Sequence, residues 1–147
     1  VAINLRSKIT GWSKYQYSNL FQYDNGKEYS SISSQSLFMK LFVGDYISRP
    51  SCSTCKFKGY HRVSDMTLGD FWGIWDIEPE MDDNKGTSVV LLQSEKAQLL
   101  WEEIKDNIVF KQVSLENASQ QNPSMLFASK AKENREEVLA MIRAHCR

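Results

Sequence analysis

The sequence has no charge of one sign to spare. Its 18 lysines and arginines are matched by 18 aspartates and glutamates, so no overall field draws it to nucleic acid or to an acidic bilayer, and a partner must be chosen by local chemistry. Long apolar runs are missing too: none approaches the roughly 20 residues that a membrane-spanning helix needs. The opening "VAINLRSKITGW" lacks the charged start, apolar centre and small-residue cleavage site of a secretory leader. The chain therefore reads as soluble and cytoplasmic. With 2 histidines and 3 cysteines there is no disulfide framework, and a close pair among so few thiols points first to metal or catalytic chemistry. Nucleophile-elbow, H-E-x-x-H, P-loop and EF-hand patterns are all absent. Basic and aromatic residues interleave only over one short loop, too little to argue for nucleic acid.

What is present suits one ordinary core. A chain of 147 residues, 41% hydrophobic, is long enough for a single domain over 1–147 and too short for two comfortable ones. Two aromatic, alternating runs, Tyr17 to Tyr23 and Lys27 to Tyr29, flank Asp24-Asn25-Gly26, which predicts a hairpin because Asn and Gly accept the positive φ of a tight turn. "SQSLFMKLFVGDY" predicts an amphipathic helix, and "VSDMTLGDFWGI" and "TSVVLLQ" predict strands. "SEKAQLLWEEIKDN" predicts a helix capped by Ser94; "IVFKQVS" a strand; "LENASQQ" and "KENREEVLAMIRAHC" two further helices. The expectation is α/β or α+β, with a mixed sheet, an N-terminal hairpin and flanking helices. Val1 to Leu5 reads as a strand already under way without an initiating methionine. The chain is accordingly expected to be a C-terminal piece of a longer protein.

The chemistry concentrates in "RPSCSTCKFKGYHRVSDMTLGDFWGI". Cys52 and Cys55 form a C-x-x-C, a spacing that lets two sulfurs reach one metal or cluster, or close on each other as a disulfide. A tetrahedral zinc site needs two more ligands, and the candidates are His61, His145 and Cys146. A thioredoxin-like reading fits less well, because Gly59 stops any helix soon after the pair. Arg49, Lys56, Lys58 and Arg62 would stabilise thiolates or an anionic ligand, and would equally suit a solvated basic loop. Further on, Gly69 and Gly73 bracket Asp70-Phe71-Trp72 at a strand end. That pattern suits close approach of backbone to a strand or a flat ligand, with Asp70 as orienting carboxylate, while Phe71 and Trp72 read first as core. "DDNKGTS" reads as a surface turn.

The order of these segments closely resembles the C-terminal domain of the coenzyme F420 hydrogenase/dehydrogenase beta-subunit family. The resemblance is carried by R-P-S-C-x-x-C-x-F-K-G, then S-D-x-T-x-G-D-F-W-G, then the D-D-N-K-G-T-S turn followed by a strand and a helix. It implies flavin-linked electron transfer, with FAD and a [4Fe-4S] cluster in the full-length protein. Cys52 and Cys55 would be cluster ligands, and Arg49, Lys58, Gly69, Asp70 and Trp72 would lie against the cofactors. A redox partner protein or an N-terminal ferredoxin-type module is the implied partner, and self-association is open. A [4Fe-4S] cluster takes four cysteines, so the missing ligands are expected upstream, and this piece is expected to bind its cofactors incompletely or not at all. The competing reading is a non-enzymatic binding module, with Cys52 and Cys55 joined to His61 or Cys146 around structural zinc.

Overall fold

A computed structural model describes residues 1–145. Six helices and five strands are combined there, with the strands in two antiparallel sheets. Helices and strands combine in one chain as expected, with an N-terminal hairpin; no parallel strand pair occurs among the described residues, so the sheets are antiparallel where a mixed sheet was anticipated. The connections explain this. In the three-stranded sheet β3 follows β2 through the turn at 23–27 and β2 follows β1 through the segment 8–17, both shorter than the crossover of a dozen or more residues that a parallel return needs.

By contacts the described chain falls into two compact units, one made of 1–55 with 128–147, the other of 56–127. The first holds β1 (Ala2–Ser7), β2 (Ser18–Gln22) and β3 (Glu28–Ile32) in that spatial order. The hairpin closes as its residues require. Gly26 takes φ +79°, Tyr23 N–H donates to Lys27 O at 2.9 Å, and Asn25 Oδ1 accepts from Lys27 N–H at 3.0 Å. Between β1 and β2 the register slips from Asn4↔Leu20 to Ser7↔Ser18, a bulge. Asn19, 0% exposed, answers it by donating its side-chain amide to Leu5 O at 2.8 Å. Trp12, Tyr17 and Met39 are the buried apolar residues of this unit. α1 (Leu37–Val43) begins at Ser36, whose Oγ accepts from Met39 N–H; α2 (Pro50–Ser53) carries Cys52; and α6 (Arg135–His145) ends the described chain.

The second unit pairs β4 (Met66–Asp70) with β5 (Ser88–Leu92) in register from Met66↔Leu92 to Asp70↔Ser88. α3 (Ile74–Ile77), α4 (Glu95–Ile104) and α5 (Leu115–Ser119) surround them. Phe71, Ile74, Val89, Ala118 and Met125 form its core, with Tyr60, Trp75, Leu91 and Val113 packed against it. Phe71 is thus core, as expected. The segment from Ile108 to Val113 is not a strand. Its β-branched residues have no strand to pair with; Val109 is 87% exposed, and Phe110 instead turns edge-on to Trp101 at 4.9 Å.

Ser94 caps α4 as expected, accepting from Ala97 N–H at 3.2 Å and donating to Asp65 Oδ1 at 2.7 Å. That bond, with Lys96 beside it, holds the Asp65 carboxyl below its usual range. Ser94→Ala should cost about 1 kcal/mol through loss of the cap. Because the lowered carboxyl stabilises the fold only above its unfolded pKa and loses this as pH falls through its folded value, the gap to wild type in urea titrations should narrow in acid.

Candidate functional site

The seven residues singled out from the sequence divide between the two units: Arg49, Cys52 and Cys55 belong to the first, and Lys58, Gly69, Asp70 and Trp72 to the second. In the first, Arg49 is extended and exposed, and Pro50 opens α2 as a proline at a first helical position can. Cys52 N–H donates to Arg49 O at 2.9 Å, and Arg135 from α6 holds the preceding Ser48 O at 3.2 Å. Cys52 sits inside α2 and Cys55 beyond its end; both thiols are half-buried and free of a disulfide. No three of His, Cys, Asp or Glu converge as metal ligands among the described residues. His145 turns back onto Met141 O at 2.8 Å, His61 is exposed, and Cys146 lies outside the described residues. The thiols are the right donors for an iron–sulfur cluster but supply two of the four it takes.

In the second unit one stretch, 119–127, grips both candidate loops. Lys58 Nζ donates to Ser124 O; Gly59 N–H reaches Met125 O at 3.1 Å, and Arg62 Nη2 the same oxygen at 2.9 Å. The Tyr60 hydroxyl meets Ser119 Oγ at 2.8 Å. On the other side, Asn122 Nδ2 donates to Asp70 O at 3.2 Å and Gln121 Nε2 to Asp76 Oδ2 at 2.8 Å. Gln93, next to β5, donates to Tyr60 O at 2.7 Å and accepts from Thr67 Oγ1 at 2.6 Å. Sequence reasoning singles out none of Gln93, Gln121 and Asn122. Each binds a residue at least 26 positions away, and no local pattern announces such a contact.

The two glycines differ in kind. Gly73 has φ +92°, a left-handed backbone that favours glycine, and a Cβ there would come within 2.7 Å of Gln121 Cδ, so that the Gln121 side chain would have to shift. At Gly69 a Cβ would meet only Val89 Cγ1, at an ordinary 3.6 Å. No packing contact among the described residues requires that glycine. Asp70 and Trp72 are half-buried. The sequence model of one family, described as the C terminus of the beta subunit of coenzyme F420 hydrogenase/dehydrogenase, matches residues 6–118, through the cysteine pair and both glycines. The chain belongs to this family. No curated protein and no solved structure matches it.

Electrostatics separate the loops from their surroundings. Lys58 and Arg62 are half-buried and bind only neutral carbonyls; neither meets a carboxylate among the described residues. Lys111, by contrast, is shared by Glu78 and Glu80, which raise its pKa, while it lowers that of Glu80. The "DDNKGTS" stretch is the turn expected of it: Asp82 Oδ1 accepts from Asn84 N–H at 3.1 Å and Asp83 Oδ1 from Lys85 N–H at 2.8 Å. An open cavity of about 390 Å³ lies between Tyr60, α5 and Pro123 to Phe127, and none of the seven candidates lines it. No helix among the described residues is long and apolar enough to cross a membrane. Tyr60→Phe should cost about 0.5–1 kcal/mol in urea denaturation, the low end for a buried hydroxyl pair, because Ser119 Oγ keeps Leu115 O at 3.0 Å as acceptor.

Proposed function

We propose that the chain is the C-terminal part of an iron–sulfur flavoprotein oxidoreductase that moves electrons between a [4Fe-4S] cluster, FAD and a two-electron acceptor. The observation that carries this reading is the family match over the cysteine pair and the glycine-bracketed strand end together. Cys52 and Cys55 would furnish two thiolates, with the remaining ligands coming from outside the described residues. FAD, when bound, supplies the chemistry that joins one-electron to two-electron transfer.

The chain's own residues then have definable roles. Lys58 and Arg62 keep half-buried positive charge that meets no carboxylate among the described residues, which suits an anionic cofactor, and Arg49 adds exposed charge beside the thiols. Gly69, unexplained by internal packing, leaves open backbone on the strand edge where a flat ring can approach. Asp70 and Trp72, at the end of that strand, would orient and cover the ring. Protein partners follow from the same reading, since the family is one of subunits, and a ferredoxin-type module or redox partner would deliver the electrons.

Anaerobic reconstitution of the natural full-length protein with iron, sulfide and FAD tests this. The expected result is the broad visible absorption of a cluster, lost in Cys52→Ser and Cys55→Ser, together with stoichiometric flavin. A colourless protein holding one zinc per chain would show the reading to be wrong in favour of a structural metal module. Gly69→Ala gives a finer measurement. In the free protein it should be neutral or stabilising by up to about 1 kcal/mol, as alanine is in a strand, yet weaken FAD binding about tenfold, ~1.4 kcal/mol.

A further inference from the structure

We infer that Gln121 and Asn122 are positioning residues that set the shape of the Asp70 to Asp76 turn, and through it the placement of Asp70 and Trp72. This rests on the reading of that turn as the cofactor face. Both residues lie past the stretch matched by the family model, which ends at 118.

Gln121 acts in two ways at once. Its Nε2 donates to Asp76 Oδ2 at 2.8 Å, and its Cγ and Cδ occupy the space that a side chain at Gly73 would fill, at 2.8 and 2.7 Å from the ideal Cβ. The left-handed Gly73, which turns the chain from the strand end into α3, is thereby covered by a side chain 48 positions away. Asn122 holds the other end of the turn through Nδ2 to Asp70 O at 3.2 Å. Its own orientation is set, because Ser124 Oγ donates to Asn122 Oδ1 at 3.1 Å and leaves the amide nitrogen facing Asp70. Asp70 and Asp76 are therefore clasped by adjacent residues on one segment, and that segment is anchored in the core by Ala118 and Met125. Carboxamides are well suited to such a clasp, because they fix a carbonyl and a carboxylate without bringing a cation that would compete for an anionic ligand.

The test exchanges donor and acceptor. Gln121→Glu keeps the packing over Gly73 but sets carboxylate against carboxylate at Asp76; Asp76→Asn combined with Gln121→Glu restores a donor–acceptor pair with the roles reversed. Amide hydrogen exchange across Phe71 to Ile77 should speed up about tenfold in Gln121→Glu and in Asn122→Ala, consistent with loss of one hydrogen bond, and should return toward wild type in the exchanged double variant. FAD binding, read by flavin fluorescence in the reconstituted full-length protein, should weaken and recover in parallel. Unchanged exchange in both single variants overturns the inference whatever the flavin does. Altered and rescued exchange with unchanged FAD affinity also overturns it, leaving these residues purely structural. A wild-type protein that binds no FAD instead removes the flavin reading, and the exchange data then decide the clasp alone.

Discussion

The second unit depends on the burial of Phe71, Ile74, Val89, Ala118 and Met125 against one another. Phe71 and Val89 come from the ends of the two paired strands, Ile74 from the helix after the glycine turn, and Ala118 and Met125 from either side of Gln121 and Asn122. Removing large apolar side chains from water is worth roughly 1.5–3 kcal/mol each. That is large compared with any single hydrogen bond in the clasp. The polar contacts to Asp70, Asp76, Gly59 and Arg62 are therefore consequences of the apolar cluster. Once Ala118 and Met125 are seated, the intervening carboxamides and carbonyls have little choice of neighbour.

The first unit solves a different problem. Its sheet buries serines and an asparagine more than it buries large apolar groups, and the bulge between Asn4 and Ser7 leaves a carbonyl that strand pairing does not satisfy. Asn19 supplies the donor from inside the sheet, while its Oδ1 has no partner of its own. Rings and cations then cover the surface, with Arg6 and Lys8 lying 4.8 and 5.1 Å from the Trp12 ring centre.

What is legible in the residues follows the range of the interaction. Ser94 as a cap, Asp24-Asn25-Gly26 as a hairpin turn, and the apolar runs of β4 and β5 are local, and each stands where the residues imply. The Ile108 to Val113 stretch departs from its expected strand because β propensity reports a side chain's fitness for a sheet and not the presence of a neighbouring strand. The cysteine pair, Lys58, Gly69 and Asp70 are visible as residue types in a telling order. Gln93, Gln121 and Asn122 are not, since amides are common and their partners lie far along the chain. The two glycines look alike in the sequence; only the left-handed φ of Gly73 and the side chain above it tell them apart.

The connectivity of the two units has a consequence for how such a protein can change. The unit spanning 56–127 is entered from the first unit directly after Cys55 and returns to it at Ala128. It is an insertion in its host, carried on two covalent joins. A block bounded in this way can be lengthened, shortened or replaced without altering the order of the host's own elements. The thiol pair stands on the host side of the first join and the glycine turn on the inserted side. Variation could therefore act on one of these two motifs while leaving the other intact.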